Sequence, residues 1–302
     1  GRRSNYQFRP LSINVIDATL DPDFEAKLVD KNPYLVNSYR SQLVPAIGAA
    51  YVYSRPLTVS GSNSRTFRIA VGAAGNLTAL IASAFMDKTE LSLLDANNQV
   101  TGTEWVYQPF GIRFSQYARL ETSFSNSIAI SERSALVYRV MGGIGLPYGN
   151  SSMLPLDRKF YAGGINSMRG WAVRTLGPGG ETKTDQDWAY KDGNMKLEAN
   201  VEVRFPLWNS LNGAVFFDVG NVWDVNLKGS KDDDPGMFRF DSFFSQLGFN
   251  TGIGLRFDVN VAVIRLDWGI RIHDPNEVHG KRWIHNFRLG NTALNFGIGY
   301  PF

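Results

Sequence analysis

Residues 196–207 read Lys196-Leu197-Glu198-Ala199-Asn200-Val201-Glu202-Val203-Arg204-Phe205-Pro206-Leu207. Lys196, Glu198, Asn200, Glu202 and Arg204 share one face of an extended chain, and Leu197, Ala199, Val201, Val203, Phe205 and Leu207 share the other. A period of two kept over such a length predicts a β-strand with one polar and one apolar face, longer than the five or six residues (roughly) of an ordinary globular strand. Working outward, 246–260 sets Gln246, Gly248, Asn250, Gly252, Gly254, Arg256 and Asp258 against Leu247, Phe249, Thr251, Ile253, Leu255, Phe257 and Val259. In 261–272, Arg265, Asp267 and Arg271 oppose Ile264, Leu266, Trp268, Ile270 and Ile272. The last strand, 293–302, sets Asn295, Gly297 and Gly299 against Leu294, Phe296, Ile298, Tyr300 and Phe302. Less regular versions lie near 6–18, 40–55, 64–86, 105–124, 133–148 and 212–224, giving about ten strands, an all-β chain, and one short helix over 22–30.

The connections alternate in length. Long ones cover 21–39, 88–104, 149–193, 225–245 and 275–291; short ones lie near 56–63, 125–132, 208–211 and 259–261. In an antiparallel meander, alternate connections fall at opposite ends, so the long loops leave one end and the tight turns the other. That asymmetry belongs to transmembrane β-barrels of the outer membrane, with long extracellular loops and short periplasmic turns. A soluble meander with its apolar face inward is the alternative. Two features oppose it: the polar faces carry Arg, Glu and Asp over whole strands, and Tyr51, Tyr53, Trp208, Trp223 and Tyr300 sit near strand ends, where interfacial girdles lie.

Composition removes other classes. Thirty-one basic residues face 28 acidic ones, a net charge of +3, so the broad basic footprint of a nucleic-acid binder is missing. With no cysteine there are no disulfides, thiolate metal sites or thiol nucleophiles. No apolar run of ~18 residues exists to make a transmembrane helix. His273, His279 and His285, near Asp274 and Glu277, are expected as solvated loop residues rather than metal ligands, and Asp232-Asp233-Asp234 as an exposed acidic run. No catalytic constellation, cofactor motif or metal site is expected, and the chain is not expected to be an enzyme.

The longest interior loop holds Phe160-Tyr161-Ala162-Gly163-Gly164 and, five residues on, Arg169-Gly170-Trp171. The glycines allow a tight turn that presents one arginine beside an aromatic ring. So long a loop hanging free invites proteolysis, and folding it inside the barrel is the remedy. A buried Arg169 then needs acidic partners.

This stretch resembles the loop-six signature of the Omp85 superfamily, which includes outer-membrane assembly insertases, translocation-and-assembly proteins and two-partner secretion transporters. Three further segments match in order: 197–206 resembles strand twelve, with Glu202 as its inward glutamate; 213–224 resembles strand thirteen, with Phe216, Phe217 and Asp218 as its Phe-x-Asp motif; and Asn295, Gly297, Tyr300 and Phe302 fit the C-terminal assembly signal. Met168 and Trp171 depart slightly from the commonest forms. The resemblance implies that loop 149–193 folds into the lumen, where Arg169 pairs with Asp218 and Glu202 beside Phe216. Arg204, Arg256, Arg265, Asp267 and Glu198 are read as lumen-wall charges.

The family's barrels have sixteen strands preceded by POTRA modules. The resemblance therefore implies that 1–302 is a C-terminal barrel domain, strands seven to sixteen, whose missing N-terminal portion completes it; a self-contained ten-stranded barrel is the alternative. It also implies a bacterial outer-membrane protein assembly factor. Such a factor folds and inserts unfolded β-barrel clients through a lateral seam between first and last strands, with periplasmic or lipoprotein accessory subunits and with membrane lipid and lipopolysaccharide around it. Gly297, Gly299 and Pro301 suit a weak seam, since proline removes a ladder donor and glycine packs no side chain. A polypeptide export pore, a passive outer-membrane channel and a soluble binding barrel are the other readings.

Overall fold

A computed structural model describes residues 3–56, 63–94, 99–182, 191–225, 228–231, 233–259, 261–284 and 292–302. The elements run β1 (Arg3–Ile16), α1 (Pro22–Lys31), β2 (Gln42–Pro56), β3 (Ser64–Ala74), α2 (Asn76–Phe85), β4 (Thr89–Leu94) and β5 (Val100–Val106). They continue with β6 (Tyr117–Ala129), β7 (Ala135–Pro147), β8 (Phe160–Tyr161), β9 (Asp192–Gly193), β10 (Met195–Trp208) and β11 (Leu211–Trp223). The last three are β12 (Gly248–Asp258), β13 (Val263–His273) and β14 (Thr292–Ile298). One ten-stranded antiparallel sheet takes the order β1-β2-β3-β6-β7-β10-β11-β12-β13-β14, while β4-β5 and β8-β9 form separate two-stranded ladders within loops.

The two faces of the sheet decide the environment. Along β10, Lys196, Glu198, Asn200 and Glu202 are buried while Val201 and Leu207 are exposed. The same inversion runs on: Asp218, Asn250, Arg256 and Asp267 have no exposure, whereas Ile253, Leu255, Phe257, Leu294, Phe296 and Ile298 point outward. A water-soluble sheet buries its apolar face, because apolar area removed from water stabilises by about 25 cal/mol per Å². A sheet that does the reverse from β10 to β14 has lipid as its outer solvent there. Among the described residues no helix is long and apolar enough to cross a membrane; the crossing elements are strands.

Register puts the polar residues together. Asn200 of β10 stands opposite Asp218 of β11, and Glu202 opposite Phe216. Asp218 faces Asn250 of β12, Gly254 faces Asp267 of β13, and Asp267 faces Asn295 of β14. Because side chains alternate, this register turns every one of these polar groups to the inner face.

Three expected strands differ from what forms. The run 64–86 stops at Ala74, because Gly75 takes φ +74° and packs where a Cβ would lie 2.3 Å from the Ser115 carbonyl oxygen; the apolar residues beyond it form α2. The run 105–124 divides: Trp105 and Val106 end β5, and the sheet strand β6 begins at Tyr117. The last strand ends at Ile298 rather than 302. The 22–30 helix forms as α1, with Pro22 in its first turn and the Asp21 side chain accepting from the Asp23 and Phe24 backbone N–H groups. Beyond the strands, Leu28, Leu35, Val36, Leu93 and Met153 make an apolar core in the loops.

Candidate functional site

Within loop 149–193, β8 and β9 pair Phe160 with Gly193 and Tyr161 with Asp192, anchoring the loop on the start of β10. Gly163 and Gly164 then take φ +99° and +95°; at Gly163 a Cβ would lie 2.0 Å from the Ala172 carbonyl oxygen, so only glycine fits. The turn closes with the Gly164 N–H donating to the Trp171 carbonyl at 2.8 Å. Phe160, Ala162, Met168, Trp171, Leu176 and Val222 pack beneath it as one buried apolar cluster. The Trp171 indole N–H reaches the Asp274 carboxylate at 3.3 Å.

This frame aims Arg169, wholly buried, at the inner face of the sheet. Its Nε donates to Asp218 Oδ2 at 3.0 Å and its Nη2 to Oδ1 at 2.8 Å, a bidentate fork, while its own backbone N–H adds a third bond to Oδ2 at 3.1 Å. Nη1 donates to Glu202 Oε2 at 2.5 Å. The guanidinium carbon lies 3.5 Å from the centre of the Phe216 ring, a cation–π contact. Burial alone lowers a guanidinium's pKa, but Asp218 and Glu202 outweigh it and raise Arg169 above its ordinary value, so the group stays charged. Gly269 gives β13 room for the loop: a Cβ there would lie 2.3 Å from the Arg169 carbonyl oxygen, which itself accepts from Asn295 Nδ2 at 2.9 Å. Gly170 presents its carbonyl to Arg271 Nε at 2.8 Å.

The wall charges belong to the same assembly. Arg256 bridges Glu202 at 3.0 Å and Asp267 at 2.5 Å, and Arg204 Nε donates to the other Glu202 oxygen at 2.7 Å. Arg265 holds the loop's Asn166 side chain at 2.8 Å. Glu198 accepts from Ser167 Oγ at 2.5 Å and pairs with Arg139 and Lys196. Asn166, Ser167, Arg139 and Asn200 are site residues that motif reading passed over. The available signal was the run of inward polar positions on β10, with Arg139 beside it on β7, facing an Asn-Ser pair in the loop.

The C-terminal residues behave differently from the expectation. Asn295 and Gly297 lie in β14, but Gly299, at φ +86°, breaks the alternation and takes Tyr300, Pro301 and Phe302 off the ladder. Tyr300 and Phe302 therefore leave the outer face and turn inward: the Arg204 guanidinium lies 4.2 Å above the Tyr300 ring, and that of Arg139 lies 5.0 Å above Phe302. Two other expectations change. Trp223 is fully buried, its indole N–H donating to Gln246 at 2.8 Å, and is no interfacial girdle residue. His273 closes β13 and is buried, with Nδ1 2.6 Å from the Leu247 carbonyl oxygen, because β13 runs further than the alternation indicated. His279 is exposed, as is Asp233; His285 and Asp232 lie outside the described residues. Among the described residues no acidic or histidine cluster has metal-holding geometry.

At the loop end of the sheet, Lys159 Nζ pairs with Asp192 at 2.9 Å. Asp224, buried beside them, has a carboxyl pushed up to about 6, by burial first, with Lys159 opposing the rise.

An inside-out antiparallel sheet, with a buried arginine loop clamped to its inner wall, defines an outer-membrane β-barrel. The chain belongs to the Omp85 superfamily, whose domain matches residues 88–302, and it is a bacterial outer-membrane protein. It is 28% identical over 145 residues to the outer membrane protein assembly factor BamA of Neisseria meningitidis serogroup B, a match covering 46% of this chain and 18% of that protein. Among solved structures it is similar to BamA from Haemophilus ducreyi lacking POTRA domains 1–3, with TM-score 0.45 and 14% identity over 98% of this chain and 61% of the other. It is also similar to CdiB from Acinetobacter baumannii, with TM-score 0.37 and 12% identity over 85% and 42%. The chain thus spans less than two thirds of each of these relatives.

Proposed function

We propose that this chain is the C-terminal barrel portion of an assembly factor that folds and inserts β-barrel proteins into the outer membrane through a seam at β14. The observation that carries the reading is the contrast between a rigid wall and a weak edge. β10 and β11 are clamped by the arginine loop, whereas the described part of β14 includes Gly297 and is followed at once by Gly299, whose φ of +86° ends the ladder. Among the described residues β1 and β14 each have a ladder on one side only. An unpaired strand edge is a template for another strand, and a glycine-bearing one exchanges partners at least cost. Completion of the wall by further strands beside β1, unfolded outer-membrane clients, and periplasmic or lipoprotein accessory subunits belong to the same proposal. So does the absence of any catalytic chemistry.

The test is a disulfide between β14, at Leu294→Cys, and the first strand of the complete barrel, in proteoliposomes supplied with an unfolded β-barrel client. The locked protein should insert at most a tenth of the client inserted by its reduced form. Full insertion with the seam locked would overturn lateral opening.

A further inference from the structure

The loop joining β3 to β6 carries an apolar helix that no other part of the site uses. In α2, Leu77 (67% exposed), Leu80 (68%), Ile81 (53%) and Phe85 (83%) all face away from the protein, together with Ala84. At 100° per residue these positions span an arc of about 140°. The opposite side rests on the protein: Ala82 is buried, and Thr78 and Ala79 are half-buried. No charged residue occurs from Gly75 to Met86.

The start of the helix is fixed on the lipid-facing side of the wall. Asn76 Oδ1 accepts from the Tyr148 hydroxyl at 2.8 Å and from Gln116 Nε2 at 3.2 Å. Tyr148 continues the outward-facing positions of β7, Val140, Ile144 and Leu146; Gln116 continues those of β6, Ala118 and Leu120. The exposed stripe of α2 is therefore continuous with the apolar outer surface of β3, β6 and β7, which includes Val71, Leu120 and Leu146. The helix also leaves the sheet at the end that carries the long loops, the external end of an outer-membrane barrel. A tyrosine hydroxyl at a strand end marks the depth of the polar boundary.

We propose that α2 is an interfacial anchor lying in the outer leaflet of the membrane, with Leu77, Leu80, Ile81 and Phe85 among the lipid acyl chains. An uncharged stripe suits acyl chains rather than phosphate headgroups, and a short helix lying flat needs no span. The anchor pins the β3–β6 loop to the bilayer beside the wall. It does not depend on which client or cargo the barrel serves.

These 302 residues carry no native cysteine, and any cysteine elsewhere in the complete protein would first be replaced by serine. Leu80→Cys, Phe85→Cys and, as the flank, Ser83→Cys would be introduced into the complete protein, labelled with an environment-sensitive fluorophore and reconstituted in phosphatidylcholine vesicles with brominated acyl chains. All three positions are exposed, and heat-modifiable migration on gels verifies folding. Bromolipid quenching at 80 and 85 should exceed that at 83 at least twofold, with iodide in the water quenching in the opposite order. Equal iodide quenching at all three sites would put the stripe in water, and protection from both quenchers would put it under protein; either result overturns the anchor.

Discussion

Replacing Asp218 by alanine removes the acceptor of three Arg169 bonds and of the Asn200 and Asn250 side-chain amides at 3.0 and 2.9 Å. The neighbours cannot absorb the loss. Arg169, Arg204, Arg256 and Arg265 face Glu202, Asp218 and Asp267, so guanidiniums already outnumber carboxylates, and Glu202 is shared among Arg169, Arg204 and Arg256. Breaking one partner of a buried ion pair costs about 3–5 kcal/mol, because the remaining charge stays buried. Arg169→Ala should cost a similar amount for the converse reason. Both together should cost far less than the sum, leaving a coupling energy of at least about 2 kcal/mol. The assay is urea unfolding in bilayer vesicles, with protease cleavage of loop 149–193 as a local readout: each single variant should be cut while the wall stays folded. Additivity within about 0.5 kcal/mol would refute the claim that this pair locks the loop.

Further outcomes follow from single positions. Gly269→Ala sets a methyl against the Arg169 carbonyl, and should destabilise the loop by about 1–3 kcal/mol, read by the same proteolysis. Gly299→Ala meets no atom within 4 Å but must hold φ +86°, so its cost of about 1–2 kcal/mol is backbone strain alone. It should release Phe302 from Arg139, seen as a chemical-shift change of a labelled ring. Asp224 has a folded pKa of about 6, above the ordinary carboxylate value, so the folded state holds its proton more tightly than the unfolded one. Its contribution is complete below about pH 4 and is lost as pH rises through 6. Asp224→Asn should therefore slow hydrogen exchange around Trp223 and Asp224 at pH 7.5, by on the order of 2 kcal/mol, and change nothing at pH 3.5.

The membrane sheet was readable from residues alone because alternation is a local property. Glu202 and Val203 must point oppositely whatever else the chain does, and the lengths of the connections order the strands along the meander. The resemblance to the Omp85 loop and strand motifs likewise marked Arg169, Asp218 and Glu202. What alternation misreads are the places where one backbone angle interrupts it. Gly75 turns an apolar run from strand to helix, and Gly299 swings Tyr300 and Phe302 from the outer face to the inner one. Neither sign of φ is encoded in hydropathy.

Side-chain chemistry told that 196–207 has a wet face and an oily face, and the loop asymmetry together with the charged faces pointed to a wet lumen. How those inward charges are satisfied followed only from the folded sheet, where carboxylates and guanidiniums solvate one another in place of water and the apolar side chains are left to lipid. Nor did local pattern decide that Arg256, Arg265 and Glu198 would join the lock, or that Trp223 would be core. Those depend on the register between β10, β11, β12 and β13 and on where a loop distant in sequence comes to rest. Strand identity is written in neighbours along the chain, whereas the balance of a buried charge is set by neighbours across it.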